Sequence, residues 1–477
     1  MKRICLLLLI MLLTPVGARA QAAGDGRARP VVFTDVTVID ATGAKPMAGM
    51  TVVITGDRIA EIGKTGKVRV PTGAEVVSAK GKYLIPGLWD MHVHQFLKEL
   101  FLPLFIANGV TGVRDMFAPL PMLKQWRDEI KEGKLLGPRI IAAGPIVDGP
   151  KPVWPGSVAV ASADEGTKAV TTVKQGGSDF VKVYSLLPRD AYFAIAAEAR
   201  RQGIPFAGHV PSAVSVAEAS DAGQKSIEHL TGVLQGCSSK EEELVREVEE
   251  RRASNTNALV AMFIHDNAKA ADTYDEKKAA ALFARFKKNG TWMSPTLTVL
   301  RAIAYIGDAD FRSDARLKYM PAFIKSGMWG PTAFGQNRRS AEDNAVAKRV
   351  FQKQLEIIGA MQRAGVRIIA GTDTPNPYVF PGFSLHDELA LLVKAGLTPM
   401  EALQAATRNA AEYAGQLATV GTIEKGKIAD LVLLDADPLS DIANTKLINS
   451  VIVGGRLIDR TAITAMLSKV EATNGRQ

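Results

Sequence analysis

The chain has 477 residues, with 58 Lys and Arg against 49 Asp and Glu, 47% hydrophobic and 22% charged residues. Those proportions belong to a globular protein and exclude a disordered tail, a collagen-like fibre and a disulfide-stapled miniprotein. The length passes the roughly 250–300 residues at which a single core stops growing, so one large domain with a smaller companion is expected.

The first 20 residues read as a signal peptide. Lys2 and Arg3 open it, residues 4–13 form an apolar run, and Ala18-Arg19-Ala20 is a small-x-small cleavage pattern. A membrane span needs roughly twenty apolar residues, about twice this run. Cleavage near Ala20 predicts a periplasmic or secreted protein without a membrane span; an uncleaved anchor is the alternative. The positive residues are scattered rather than gathered in a patch, so no nucleic-acid partner is expected. Cys237 would be the single cysteine of the mature chain, which excludes an internal disulfide.

Residues 31–83 read as short strands. Val32, Val36 and Val38 alternate with polar positions, and segments 51–54 and 59–62 flank the Gly56-Asp57 turn. The same style returns at 420–460, with strands at 431–434 and at 450–453, the latter turning at Gly454-Gly455 into 456–458. The two ends together predict one small β-domain. Between them, residues 84–419 alternate strand and helix. Ser162 and Glu165 form a capping box for a helix to about residue 175. A strand at 179–184, a helix at 188–202 stopped by Gly203, a strand at 206–210, a short helix ending at Gly223 and a strand at 226–230 follow. With strands at 84–94, 111–115, 139–145, 291–297 and 367–373, the count is eight. Eight βα units make a barrel, with a doubly wound open sheet as the alternative. Thr398-Pro399-x-Glu401 starts a late helix that closes it. Two connections, 231–290 and 298–366, are too long for simple turns, and such insertions in barrels usually lie on the catalytic face. Within the first, KEEELVREVEERR at 240–252 reads as a helix with a solvated face.

The strongest chemical signal is His92-Val93-His94, ending the apolar stretch LIPGLWDMHVH. Residues i and i+2 of a strand face the same way, so two imidazoles point together from the strand end where barrel active sites lie. Metal ligation is the reading; two packed core histidines would bury polar rings with no evident partner. Lys182, inside the apolar DFVKVY, is a costly barrel-facing ammonium unless altered or paired. His209, His229 and Asp373 end the strands PFAGHV, SIEHL and RIIAGTD.

These motifs, with the C-terminal GKIADLVLLDADP, resemble the metal-dependent amidohydrolase superfamily, and within it the imidazolonepropionase-like group that includes metal-dependent prolidases and related carboxypeptidases. The resemblance covers residues 31–460 and implies a (β/α)8 TIM-type barrel carrying a small β-sandwich built from both chain ends. It implies that Lys182 is carboxylated by CO2 to a carbamate bridging two divalent metals. His92, His94 and Asp373 would hold the more buried metal, and His209 and His229 the other. Mixed His, carbamate and carboxylate ligands suit Zn2+ and admit Mn2+ or Co2+. A bridging water made acidic by the two metals would attack the carbonyl, with Asp373 carrying its proton to the leaving amine.

Tyr184, two residues beyond Lys182 and nearer the mouth, is a candidate oxyanion donor or a plain pocket wall. Arg114, ending the second strand, can meet a substrate carboxylate or pair with Asp115 or another buried acid. Trp154 is a candidate pocket wall. His386 reads as a first-turn helix residue, His265 as surface or lid, and Met328-Trp329-Gly330-Pro331 as a lid tip or a packed loop. The expected function is an exported binuclear hydrolase of amide bonds, a dipeptidase or carboxypeptidase acting on Xaa-Pro or N-acyl amino acids, with a homo-oligomer admitted. The alternatives are hydrolysis of cyclic amides, lactones or phosphotriesters at the same centre, a one-metal variant with unmodified Lys182, and a non-catalytic binding protein on the barrel scaffold.

Overall fold

The computed structural model describes residues 29–254 and 262–474. The signal-peptide expectation over residues 1–20 lies outside them.

The small β-domain is one hydrogen-bonded sheet. Its path runs Arg456–Ile458, Ile448–Val453, Leu431–Leu434, Tyr83–Pro86, Val31–Val38, Met47–Thr55, Arg58–Lys64, and Glu75–Ser78 pairs in parallel with Val31–Val38. The two chain ends are stitched together where Leu431–Leu434 lies antiparallel to Tyr83–Pro86. The sheet folds over a core that includes Phe33, Val52, Leu84, Leu431 and Ile452, so its two layers are halves of a single sheet. The turns at its extremities meet: Gly455 N donates to Ala429 O, and a Cβ on Gly455 would lie 1.8 Å from Gly56 O. Only glycine allows that approach.

The barrel has eight parallel strands. Leu88–Val93, Val110–Asp115 and Arg139–Ala142 form one ladder; Val181–Val183, Phe206–Gly208, Ser226–Glu228, Trp292–Ser294 and Arg367–Ile368 form another, extended by short strands Ile146–Asp148 and Val158–Ala159. Backbone bonds close both seams. Asp179 N donates to Ala142 O at 2.9 Å, Met91 N to Ala370 O at 2.9 Å, and His94 N to Thr374 O at 2.9 Å. The open-sheet alternative is thereby excluded.

Local signals start and stop the barrel helices as their chemistry requires. Arg189–Gln202 ends at Gly203 with φ 65°, and Pro399–Ala405 has both halves of the Thr398–Glu401 capping box. The Ser162 box is only half made: Ser162 Oγ accepts from Glu165 N, but the Glu165 carboxylate accepts from Ala161 N rather than from Ser162 N. A C-terminal helix, Arg460–Asn474, was not foreseen.

Each long insertion ends in a helix that packs on the barrel wall, Glu276–Asn289 and Ala341–Ala364. Within the first insertion, Glu241–Ser254 is helical as expected, but it is not simply a solvated rod. Leu244 and Val248 are buried and Val245 is partly so, because the i, i+4 pair lies on one face beside the barrel mouth. His265 is exposed and faces Asp343 at 3.2 Å. His386 is buried between Thr445 Oγ1 at 3.0 Å and Asn108 O at 3.1 Å, tying a barrel helix to the C-terminal segment. Trp329 is packed rather than a lid tip: its indole donates to Pro375 O at 2.7 Å, lies tilted against Tyr378 and meets Phe380 edge-on. Among the described residues no helix is long and apolar enough to cross a membrane.

Candidate metal centre

Strand alternation sends Asp90, His92 and His94 to one side of the first barrel strand, and hydrogen bonds across the closing seam bring the last strand against them. Asp90 accepts from Thr372 Oγ1 at 2.6 Å and from Thr372 N at 2.9 Å, and Asp373 N donates to His92 O at 2.8 Å. Asp373 therefore lands beside both histidines. Its Oδ1 is 3.0 Å from His94 Nε2 and 3.4 Å from His92 Nε2, and its Oδ2 is 3.8 Å from His229 Nδ1. His229 lies between the other rings, its centroid 4.5 Å from that of His92 and 4.9 Å from that of His209. One ligand atom each from His92, His229 and Asp373 fall within 4.8 Å of one another.

The rings are held from behind. His92 Nδ1 donates to Glu228 Oε2 at 2.8 Å. Thr296 Oγ1 donates its proton to Pro295 O at 2.8 Å, so at 2.6 Å it accepts from His229 Nδ1. His209 Nδ1 pairs with Ser185 Oγ at 2.8 Å, and His94 Nδ1 lies 3.4 Å from Phe117 O. Burial, with Lys182 nearby, presses the His92 and His209 imidazoles well below their usual range, and burial brings His229 down to about 4. Neutral rings that donate through Nδ1 carry a lone pair on Nε2. For His92 that lone pair faces a carboxylate oxygen of Asp373 with no proton between them, a repulsion that a cation placed there relieves. The residues therefore fit a divalent metal.

The backbone is also unusual here. His229, Thr296 and Asp373 have φ of 57°, 49° and 66°, left-handed values that cost non-glycine residues roughly 1–3 kcal/mol each and gather at functional sites.

Lys182 is buried on the same barrel-facing side, where desolvation lowers its amine to about 8 even though Glu228 and Asp373 pull the other way. Burial also opposes ionisation of Asp373, but His229, His94 and Lys182 together hold its carboxyl below the usual range. Tyr184 stacks on His209 with centroids 3.9 Å apart, and its hydroxyl accepts from the indole of half-exposed Trp154 at 3.0 Å. Burial pushes that phenol well above its ordinary value.

Arg114 is not a substrate contact. It is fully buried, and its five N–H groups are committed: Nε to Met91 O at 2.6 Å, Nη1 to Ser226 Oγ at 2.9 Å and Tyr413 OH at 2.7 Å, Nη2 to both Glu228 oxygens at 2.9 and 2.8 Å. The buried-acid alternative describes it, with Glu228 as the acid. Glu228 itself was missed, although period-2 alternation in SIEHL already places Ser226 and Glu228 on one face. Beside His229 opens a cleft of about 100 Å3, lined among others by Ser185, Val210, Leu230 and Val245.

The amidohydrolase family profile matches residues 83–458. Imidazolonepropionase of Pseudomonas savastanoi pv. phaseolicola is 40% identical over 93 residues, 19% of this chain and 23% of that protein. Ochratoxinase of Aspergillus niger is 39% identical over 100 residues, 20% of each chain. The chain thus aligns with about a fifth to a quarter of the length of these curated relatives. A solved bottromycin amidohydrolase superposes with a TM-score of 0.75 at 25% identity, over 94% of this chain and 92% of that one. A Xaa-Pro dipeptidase with bound methionine shares the fold at a TM-score of 0.63 and 20% identity, over 90% of this chain and 100% of that one. The family match begins at the strand where the small domain meets the barrel and ends at the last strand of the sheet. The chain belongs to the amidohydrolase family.

Proposed function

We propose that this chain is an exported, binuclear metal-dependent hydrolase of amide bonds that releases an amino acid from small peptides or N-acyl amino acids. The observation that carries the reading is the gathering of His92, His94 and His229 around Asp373, with His209 against His229, Lys182 within electrostatic reach, and the ring nitrogens behind already engaged. His92, His94 and Asp373 would hold one ion, His209 and His229 the other, and carboxylated Lys182 would bridge them. When bound, two divalent ions, with Zn2+ the best match to these ligands, lower the pKa of a water and polarise the amide carbonyl.

The chain's own residues supply the remaining steps. Burial keeps an appreciable share of Lys182 as free amine near neutral pH. That neutral nitrogen can add to CO2, forming an N–C bond and losing one proton, which leaves an anion where the protonated side chain would be a buried cation. Asp373, held ionised, takes the proton of the attacking water and passes it to the leaving nitrogen. Tyr184 keeps its proton at neutral pH and accepts from Trp154, so its own O–H is free to donate to the carbonyl oxygen as charge develops.

The substrate class draws support from the fold shared with a Xaa-Pro dipeptidase and from the likeness to a bottromycin amidohydrolase. Export rests on residues 1–20 of the sequence. Amine release from a panel of Xaa-Pro peptides, other dipeptides and N-acyl amino acids, measured on metal-loaded protein with and without chelator, tests the reading. Chelator-sensitive release is expected; silence across the panel by protein holding two metals per chain overturns it.

A further inference from the structure

The helix Glu241–Ser254 belongs to an insertion and carries no metal ligand, yet it walls the cleft beside His229. Val245 and Val248 project from it into the lining. The opposite wall comes from the loop after His209, through Val210, Pro211 and Val214, and Leu230 follows His229. The cleft runs into the metal centre through shared residues: His229 lines it, and so does Ser185, which bonds His209. No Lys or Arg lines it among the described residues, and its acid, Glu241, is paired with Lys278 at 2.8 Å. A space of about 100 Å3, with valines on two walls and the hydroxyls of Ser212, Ser215 and Thr231 also in its lining, is smaller than a pocket for a whole ligand and suits one side chain.

We infer that this cleft selects the substrate: it receives a large uncharged apolar side chain, of leucine or phenylalanine size, adjoining the scissile amide, and the insertion helix sets the preference through Val245. The inference rests on the amide-hydrolase reading above. A carboxylate-bearing side chain would be desolvated there beside Glu241 with no cation to meet it, and glycine would leave the walls unfilled. Of the helix's other charged residues, Glu242, Glu243, Arg246, Glu249 and Glu250 are exposed and outside the lining, which keeps the wall soluble on its outer side.

The test uses metal-loaded protein and dipeptides whose variable residue, on either side of the bond, is Gly, Leu, Phe, Lys or Glu. On one side of the bond, kcat/KM for Leu or Phe should exceed that for Gly by about tenfold or more, and Glu should fall below Gly. Val245→Trp, which fills the cleft, should cut the Phe-to-Gly ratio by about tenfold. Val245→Lys, at a partly exposed position, should move the preference from Phe toward Glu. A panel hydrolysed without preference, or ratios unchanged in folded, metal-replete variants, overturns the inference and leaves the hydrolase reading standing. Binding of p-cresol, followed by ligand-observed NMR, separates the two ideas if no dipeptide is cleaved. Binding to the wild type that Val245→Trp removes supports the cleft while the hydrolase reading falls, and absence of binding to the wild type overturns the cleft assignment.

Discussion

Two clusters of buried charge in this molecule use the same groups to different ends. Beneath the metal centre, Arg114 and Glu228 are both wholly buried, every donor of the guanidinium is engaged, and the acid's second task is to hold His92. In the outer ring of helices, Asp387 is 9% exposed and is met by Arg316 at 2.7 Å, Lys446 at 2.8 Å and Arg301 at 3.4 Å, side chains that reach solvent. The first cluster is a single fully satisfied arrangement with no water to substitute for a lost partner. The second is redundant and wet. A buried pair costs a great deal to break and returns little net stability, so its retention points to positioning; the open clamp contributes stability that salt can screen.

The largest effect expected from probing this contrast belongs to Asp373, the proposed proton carrier above the first cluster. Asp373→Asn should lower the proposed amide hydrolysis by about 10²–10⁴-fold with the fold intact. Asp387→Asn, in the second cluster, should leave that rate near wild type. Steady-state kinetics with circular dichroism on both proteins decides it, and wild-type activity in Asp373→Asn would remove the mechanism.

Next in size is Glu228→Gln. It leaves Arg114 a buried cation without its counter-charge and weakens the anchor of His92. Metal-free protein should lose roughly 3–5 kcal/mol of stability. Metal affinity should fall about 10–100-fold, as it does when the partner behind a ligating histidine is removed. Denaturant unfolding and metal titration measure these separately. A loss of stability with unchanged affinity would make Glu228 a structural residue only.

Much of the candidate centre is legible in the sequence because the residues proposed to hold the metals obey local rules. His92 and His94 are two apart in a strand, and Lys182, His209, His229 and Asp373 each close a recognisable β-segment, so barrel topology alone places them on one rim. What stayed hidden is what depends on partners remote in sequence. Arg114 invites a substrate carboxylate until Glu228, 114 positions away, uses up its donors. The face of the 241–254 helix is unreadable without the cleft it covers, since its charged residues dominate the local pattern. The small domain shows the same limit: its strands are visible as alternation, but their joining into one folded-over sheet depends on Leu431–Leu434 finding Tyr83–Pro86.

Asp387→Asn returns to the second cluster with a smaller effect, on stability. Its cations hold the Asp387 carboxyl far below the usual range against the pull of burial. A depressed carboxylate stabilises the fold at pH values above its unfolded pKa of about 3.9, and the contribution disappears as pH falls through the lower folded value. Wild type should therefore exceed Asp387→Asn by about 1–2 kcal/mol near pH 7. The gap should shrink below about pH 4 and narrow in high salt. Equilibrium unfolding across pH and salt checks this. A gap independent of both would mean that Asp387 acts through packing.

The smallest effect lies at the mouth, where one hydrogen bond joins two aromatic rings. Trp154→Phe keeps an aromatic wall but removes the N–H that meets the Tyr184 hydroxyl. A neutral hydrogen bond contributes about 1 kcal/mol, which corresponds to roughly fivefold in rate if it steadies a donor in the transition state. The loss should appear in kcat rather than KM, because the phenol's task is with developing charge rather than with ground-state binding. Tyr184→Phe should cost more, and Trp154→Phe added to it should cost nothing further, since the pair then has no bond to lose. Additive losses would place Trp154 in direct contact with substrate and separate it from the tyrosine.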